Sequence, residues 1–177
     1  MNDTHPNAPP PDTAPTPPPA AVPSATAGPH AAAGPNAAAG PNDFARLPLG
    51  AAVLANLKRL GYLTMTPVQA ATLPLALAGK DLIAQARTGS GKTAAFALAL
   101  LARLDDARNG QVQALVLCPT RELADQVTQE LRRLARAEAN TKVLTLCGGT
   151  PLKPQADSLA HGADVVVGTP GRILDHL

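Results

Sequence analysis

Aromatic residues are scarce in this sequence: its 177 residues include no tryptophan, one tyrosine and two phenylalanines. The hydrophobic fraction of 45% therefore overstates the core, because alanine supplies much of it. No apolar run approaches the roughly 18 residues of a transmembrane helix, and no continuous apolar stretch near the N-terminus marks a secretory signal. These absences predict a soluble, cytoplasmic protein without a membrane partner.

Cysteine is also rare, with only Cys118 and Cys147 in the chain. Each ends an apolar run, and the pair shows neither C-x-x-C spacing nor the neighbours of a metal cluster. We expect two reduced, buried thiols rather than a disulfide.

Basic residues are missing from the first 42 positions, which contain two aspartates, 12 of the 19 prolines and 12 alanines. Two tandem copies of A-A-A-G-P-N close this segment, at residues 31–36 and 37–42. Such a composition predicts a disordered tail over residues 1–42, acting as a tether rather than a partner-binding segment. Residues 43–177 hold all 15 basic residues against 11 acidic ones, an excess that is compatible with a polyanionic partner without requiring one.

The most informative segment is residues 84–93, which reads A-Q-A-R-T-G-S-G-K-T. From Ala86 onward it fits the phosphate-binding pattern [AG]-x-x-x-x-G-K-[ST]. Gly89 and Gly91 allow the backbone to curl so that successive N–H groups face one anion at the start of a helix. Lys92 is suited to the β- and γ-phosphates, and the Thr93 hydroxyl to Mg²⁺. The alternative is a glycine–serine turn before a buried helix.

Four short apolar runs, each followed by turn residues and a helical pattern, predict the architecture. They lie at residues 82–84, 114–118, 143–147 and 165–167. Runs without alternation are typical of parallel strands covered on both faces, so we expect an α/β fold. The carboxyl ends of parallel strands meet at one edge, which should bring together the loops T-G-S-G-K-T, P-T-R-E-L, G-G-T and T-P-G-R.

Helices are predicted from apolar residues at helical spacing. One should end at Gly61, and another should begin at Pro67 and run to about Ala78. A third should follow the phosphate-binding pattern and a fourth the second apolar run. Their apolar positions are Val53, Leu54, Leu57 and Leu60 in the first, Phe96, Leu100 and Leu104 in the third, and Leu123, Val127, Leu131 and Leu134 in the fourth.

Taken in order, these motifs resemble the DEAD-box RNA helicases over residues 43–177. Residues 61–69 resemble the Q motif of the family, 84–93 motif I, 119–123 motif Ia, 148–149 the GG motif and 169–172 motif Ib. The resemblance implies the N-terminal part of a RecA-like P-loop NTPase domain with a mostly parallel, incomplete sheet. Phrases such as L-V-L-C-P-T-R-E-L-A-D-Q-V further resemble the bacterial DbpA subgroup, which acts on large-subunit ribosomal RNA.

The resemblance implies an ATP and Mg²⁺ site. Gln69 would read adenine and Phe44 would stack on the base, although Gln69 could instead be an exposed helix residue and Phe44 could pack the tail against the domain. Lys92 and Thr93 would be catalytic, and Thr93 would bind Mg²⁺ through ATP. The triphosphate would be held by Thr88, Gly89, Ser90, Gly91, Lys92 and Thr93.

The resemblance also implies contacts to an RNA backbone, on ribosomal RNA if the subgroup holds. Hydroxyl groups, glycine N–H groups and guanidinium groups suit phosphate oxygens and position a strand without reading its sequence. As alternatives, Thr120 and Thr169 are reasonable helix N-caps, and Gly149 could belong to a simple turn. The implied RNA contacts are Pro119, Thr120, Arg121, Gly149, Thr169, Gly171 and Arg172.

The sequence contains neither the D-E-A-D and S-A-T motifs of the family nor a second RecA-like domain. We therefore expect a fragment of a monomeric, ATP-dependent RNA helicase, and we expect the chain alone to be inactive, because phosphoryl transfer depends on positioned charge. Two alternatives are a nucleotide- or RNA-binding module without catalysis and an RNA clamp with little unwinding.

Overall fold

The computed structural model describes residues 40–108, 110–137 and 140–177. The predicted tail lies outside the described residues except for positions 40–42, where the Asn42 carbonyl accepts the Met65 N–H at 2.7 Å. Short 3-10 turns cover Phe44–Arg46, Asp106–Arg108 and Ala135–Ala137. The longer elements are α1 (Ala51–Arg59), α2 (Pro67–Leu77), α3 (Lys92–Leu101), β1 (Ala114–Leu117), α4 (Arg121–Leu134), β2 (Val143–Leu146), α5 (Leu152–Ala160), β3 (Val165–Gly168) and α6 (Pro170–Leu174).

The three strands form a parallel sheet in the order β1-β3-β2. Val165 of the central strand lies opposite Ala114 on one side and Val143 on the other. All four residues of β3 are buried, as expected for a short valine-rich strand with neighbours on both sides. Alternation of these strands with helices confirms the predicted α/β fold.

The core lies on both faces of the sheet but is uneven. Helix α4 covers one face, where Val165 and Val167 are fully buried, and α1–α3 pack with it in the larger cluster. On the other face Val166 packs in a smaller cluster with Leu159 of α5 and Ile173 of α6. This cluster does not extend over β1, whose Leu115 and Leu117 are 51% and 56% exposed. Burial on both faces was therefore correctly predicted for β2 and β3 and wrong for β1.

The predicted strand at residues 82–84 is wrong, because this segment has no regular secondary structure and is not part of the sheet. Ile83 is fully exposed and Leu82 is 40% exposed. A strand needs a neighbour to pair its N–H and C=O groups, and none of the described strands is hydrogen-bonded to this segment. An apolar cavity of about 380 Å³, lined by residues including Leu82, Phe96 and Val116, occurs next to it.

The helix boundaries agree with the sequence signals. Gly61 adopts a φ of 87° directly after the end of α1, and α2 begins at Pro67 behind a capping box formed by Thr66 and Gln69. In α4 the predicted apolar positions are buried except Leu123, which is 37% exposed. The helix α3 buries mainly alanine and leucine, with Ala94, Ala97, Leu98 and Leu101 inside and Phe96 38% exposed.

A buried carboxylate stabilises the amino ends of the strands, opposite the carboxyl ends that carry the motifs. Asp164, which is 4% exposed, accepts the Gly110 N–H and the Lys142 N–H at 2.9 and 2.8 Å. These bonds hold the segments that precede β1 and β2 against the start of β3. Two backbone donors that would otherwise lack a partner are thus satisfied by one carboxylate.

Both cysteines are buried and free, as predicted. Burial, followed by the influence of Cys147, raises the pKa of the Cys118 thiol. Within the described segments, none of the helices has the length and apolar character needed to cross a lipid bilayer.

Candidate nucleotide site and nucleic-acid interface

The phosphate-binding pattern forms a tight loop at the start of α3. Gly89 and Gly91 have φ values of 79° and 92°, a left-handed conformation that favours glycine. Gly91 also needs to be small, because a Cβ there would lie 2.5 Å from the Gln69 amide nitrogen. The loop therefore needs glycine at these two positions, which agrees with the spacing of the motif.

The Lys92 side chain folds back onto the first two residues of this loop. Its Nζ donates to the carbonyl oxygens of Ala86 and Arg87, the second at 2.8 Å. A bound polyphosphate would offer the ammonium group stronger, charged acceptors in place of these carbonyls. The ammonium group thus lies within the segment that the motif predicts to bind phosphate.

Ser90 supplies a second sign that the loop suits an anion. Its Oγ is buried and has no hydrogen-bond partner among the described residues. A buried hydroxyl without a partner is costly, and a phosphate oxygen would satisfy it. Thr93, the residue predicted to bind Mg²⁺, is half-buried and lines the same cavity as Lys92. The donor set therefore fits ATP with Mg²⁺.

Gln69 connects the start of α2 to the phosphate loop. Its Oε1 accepts the Thr66 N–H at 2.9 Å, and its Nε2 donates to the Gly91 carbonyl at 3.2 Å. The alternative of an exposed helix residue is wrong, since Gln69 is 1% exposed. One amide has two donors and two acceptor positions, so one of each is unused; the adenine role stays a prediction that requires this buried amide to become accessible.

Thr66 adds a second connection that the sequence analysis missed. Its hydroxyl donates to the Ser90 carbonyl at 2.8 Å. The T-x-x-Q capping box would have been the sequence signal for this residue. Together Thr66 and Gln69 attach the loop to α2 from both sides of Gly91.

Phe44 packs in the core instead of presenting a free ring. It is 3% exposed and contacts Tyr62 edge-on, with ring centroids 6.4 Å apart and an angle of 79° between the planes. Tyr62 in turn donates its hydroxyl to Glu130 Oε1 at 2.5 Å. The arrangement supports the packing alternative, and stacking on a base stays a prediction that requires the ring to lose part of this contact.

Most of the predicted RNA contacts lie around one surface depression of about 550 Å³. Gly149 lies beside it, because a Cβ at this position would overlap the Arg121 guanidinium. Gly149 has a φ of 91°, so this turn needs glycine for its backbone as well. Six of the seven line the depression, namely Pro119, Thr120, Arg121, Thr169, Gly171 and Arg172.

The two threonines of this depression differ in whether their side chain caps a helix. Thr120 caps α4, because its Oγ1 accepts the Leu123 N–H at 3.2 Å. Thr169 occupies the N-cap position of α6 without a side-chain cap bond. The N-cap alternative is thus confirmed for Thr120, whereas the Thr169 hydroxyl makes no such bond and is available to a ligand.

One short segment, residues 118–120, connects the apolar cavity that Lys92 and Thr93 line to the depression. Cys118, at the end of β1, lines the cavity together with Lys92 and Thr93. The next two residues, Pro119 and Thr120, line the depression.

Comparisons with known proteins agree with this geometry. Residues 66–177 match the family model described as DEAD/DEAH box helicase. The ATP-dependent RNA helicase DbpA of Escherichia coli is 67% identical over 129 residues, which cover 73% of this chain and 28% of that protein. The ATP-dependent RNA helicase CshA of Listeria monocytogenes is 46% identical over 134 residues, which cover 76% of this chain and 25% of that protein.

A crystal structure of a DEAD box protein from Methanococcus jannaschii superposes with a TM-score of 0.71 at 41% identity. The match covers 76% of this chain and 36% of that one. The chain spans about a quarter of the length of the curated relatives it matches.

Proposed function

The chain belongs to the DEAD/DEAH box helicase family, and we propose that it supplies the ATP-binding loop and part of the RNA-backbone surface of an ATP-dependent RNA helicase. In such an enzyme, ATP binding and hydrolysis would be coupled to the separation of RNA strands. The observation that carries the proposal is that residues 118–120 connect the cavity lined by Lys92 and Thr93 of the phosphate loop to the depression.

The nucleotide would bind with its phosphates in the loop at residues 88–93. Backbone N–H groups at the start of α3 and the Ser90 hydroxyl would donate to phosphate oxygens, and Lys92 would exchange its two carbonyl acceptors for them. Mg²⁺ would neutralise phosphate charge, and the Thr93 hydroxyl would be its protein ligand. Gln69 would face adenine with the donor and acceptor that the loop leaves unused.

The RNA would bind through its sugar–phosphate backbone. Arg121 and Arg172 bring two guanidinium groups to the rim of the depression, and Thr169 adds a hydroxyl group. Such contacts bind single strands of many sequences and weaken as salt is added. We propose that these backbone contacts do not provide any preference for ribosomal RNA. The name of the Escherichia coli relative identifies that protein as an RNA helicase.

We also propose a cytoplasmic location, which the two free cysteines support, and a monomeric state. In the complete enzyme, the acidic residues of the D-E-A-D motif would position the attacking water.

Two titrations test the proposal on this chain. A fluorescent ATP analogue with Mg²⁺ should bind, and Lys92→Ala should weaken it by roughly tenfold or more, as expected for a charged hydrogen bond to phosphate. A labelled single-stranded oligouridylate should bind with an affinity that falls with salt, and Arg121→Ala should reduce that salt dependence. Arg59→Ala, on α1, removes the same charge away from both sites and serves as the control. Absence of both binding events would contradict the proposal.

A further inference from the structure

A side chain that the sequence analysis did not single out lies behind the depression. Gln155 is the fourth residue of α5 and is half-buried. Its amide contacts three different segments: the end of β2, the turn that follows it, and α6. Its amide therefore joins the turn to Arg172, beside a direct bond from Arg172 to the Thr150 carbonyl.

The amide orientation is fixed by its partners. Nε2 donates to the Cys147 carbonyl at 2.9 Å and to Thr150 Oγ1 at 2.5 Å. Oε1 accepts from Arg172 Nη1 at 3.0 Å, and His176 Nε2 lies 3.3 Å from it. A carbonyl only accepts and a guanidinium only donates, so a reversed amide would lose both bonds.

Arg172 is held on three sides by these and neighbouring acceptors. Its Nη1 also donates to the Thr150 carbonyl at 2.9 Å, and its Nε donates to Asp175 Oδ2 at 3.1 Å. The side chain is only 12% exposed. Three of its five N–H donors are therefore used by the protein.

The remaining two donors belong to Nη2. No described residue accepts from Nη2, and it is not among the buried atoms that lack a partner, so it reaches the surface. Arg172 lines the depression, and its free pair of donors suits a ligand bound there. A guanidinium fixed in advance loses less conformational freedom when it binds phosphate.

We propose that Gln155 is a positioning residue for RNA binding, which orients the Arg172 guanidinium so that its Nη2 donors face the RNA backbone. This inference rests on the proposed function and adds to it a residue outside the recognised motifs. Gln155 does not contact the RNA itself, and its effect is exerted through Arg172.

The test is a double-mutant cycle with a fluorescein-labelled oligouridylate, measured by anisotropy over a range of KCl concentrations. Arg172→Ala should weaken binding and reduce the slope of log K against log salt by about 0.7, the value for one phosphate contact on a single strand. Gln155→Ala should weaken binding by about 2- to 12-fold, which corresponds to ordering one long side chain on binding. In the Arg172→Ala background the same change should cost less than about twofold.

A control variant, a replacement variant and two contrary outcomes complete the test. Ser158→Ala, on the same helix, removes only a bond to the Pro154 carbonyl and should leave binding unchanged. Gln155→Met keeps the length of the side chain and replaces Gln155→Ala if that variant is unstable. A structural role would be indicated by equal losses with and without Arg172, and this result would overturn the inference while leaving the proposed function intact. If the unaltered chain binds no oligouridylate, the proposed function fails and the inference fails with it.

Discussion

Replacing Gln69 with glutamate tests the connection between α2 and the phosphate loop with almost no change of shape. A carboxylate still accepts the Thr66 N–H, which an N3 glutamate does in a capping box. It cannot donate to the Gly91 carbonyl, so an oxygen would face that carbonyl where the amide nitrogen now lies 3.2 Å away.

The size of the effect follows from burial. Gln69 is 1% exposed, and leaving a buried acceptor without its donor costs about 1–3 kcal/mol. For a folded region of this size, the midpoint of thermal unfolding should fall by roughly 4–10 °C. If the same free-energy cost instead disfavours the loop conformation that binds nucleotide, affinity for a fluorescent ATP analogue should fall by about 5- to 150-fold.

The control carries the same chemical change at an exposed site. Gln129 lies on the solvent side of α4, and Gln129→Glu should alter neither the midpoint nor the nucleotide affinity. Lowering the pH should restore part of the loss in the Gln69 variant, because a protonated carboxyl group donates to a carbonyl. Equal behaviour of the two variants would refute the connection between α2 and the loop.

Two further predictions concern stability. Asp164→Ala should lower the free energy of unfolding by about 2–5 kcal/mol in urea titrations, because the N–H groups of Gly110 and Lys142 lose their acceptor; a loss below about 0.5 kcal/mol would contradict this. Burial, then the hydrogen bond and charge of Glu130, raise the pKa of Tyr62 to about 12. The folded state thus retains the phenol proton to higher pH than the unfolded state. The contribution of Tyr62 to the free energy of unfolding should therefore be complete below about pH 10 and decrease between pH 10 and 12. Tyr62→Phe should remove that decrease, and an unchanged pH profile would contradict the assignment.

The sequence was sufficient where the signal is local. The glycines at 89 and 91 adopt positive φ and Pro67 begins α2, and both features follow from short motifs whose geometry is set by neighbouring residues. The grouping of the RNA candidates was also predictable, because the carboxyl ends of parallel strands share one edge.

The failures concern interactions between distant parts of the chain. Residues 82–84 have a strand-like composition, but a strand also needs a partner, which composition does not reveal. The sequence left open whether Phe44 packs in the core or stacks on a base, because its contact with Tyr62 depends on how the first turn packs. Gln155 has no sequence signal, since its four hydrogen-bond partners come from three separate segments.

Hydrogen–deuterium exchange of this chain, with ATP–Mg²⁺ and with single-stranded oligouridylate in turn, tests the central claim most directly. ATP–Mg²⁺ should protect backbone amides in residues 66–70 and 86–93, where α2 and the phosphate loop meet. Oligouridylate should protect residues 120–123, 148–150 and 169–173, and high salt should remove that protection. Protection by either ligand confined to other segments, or no protection by ligands shown to bind, would contradict the assignment of these two surfaces.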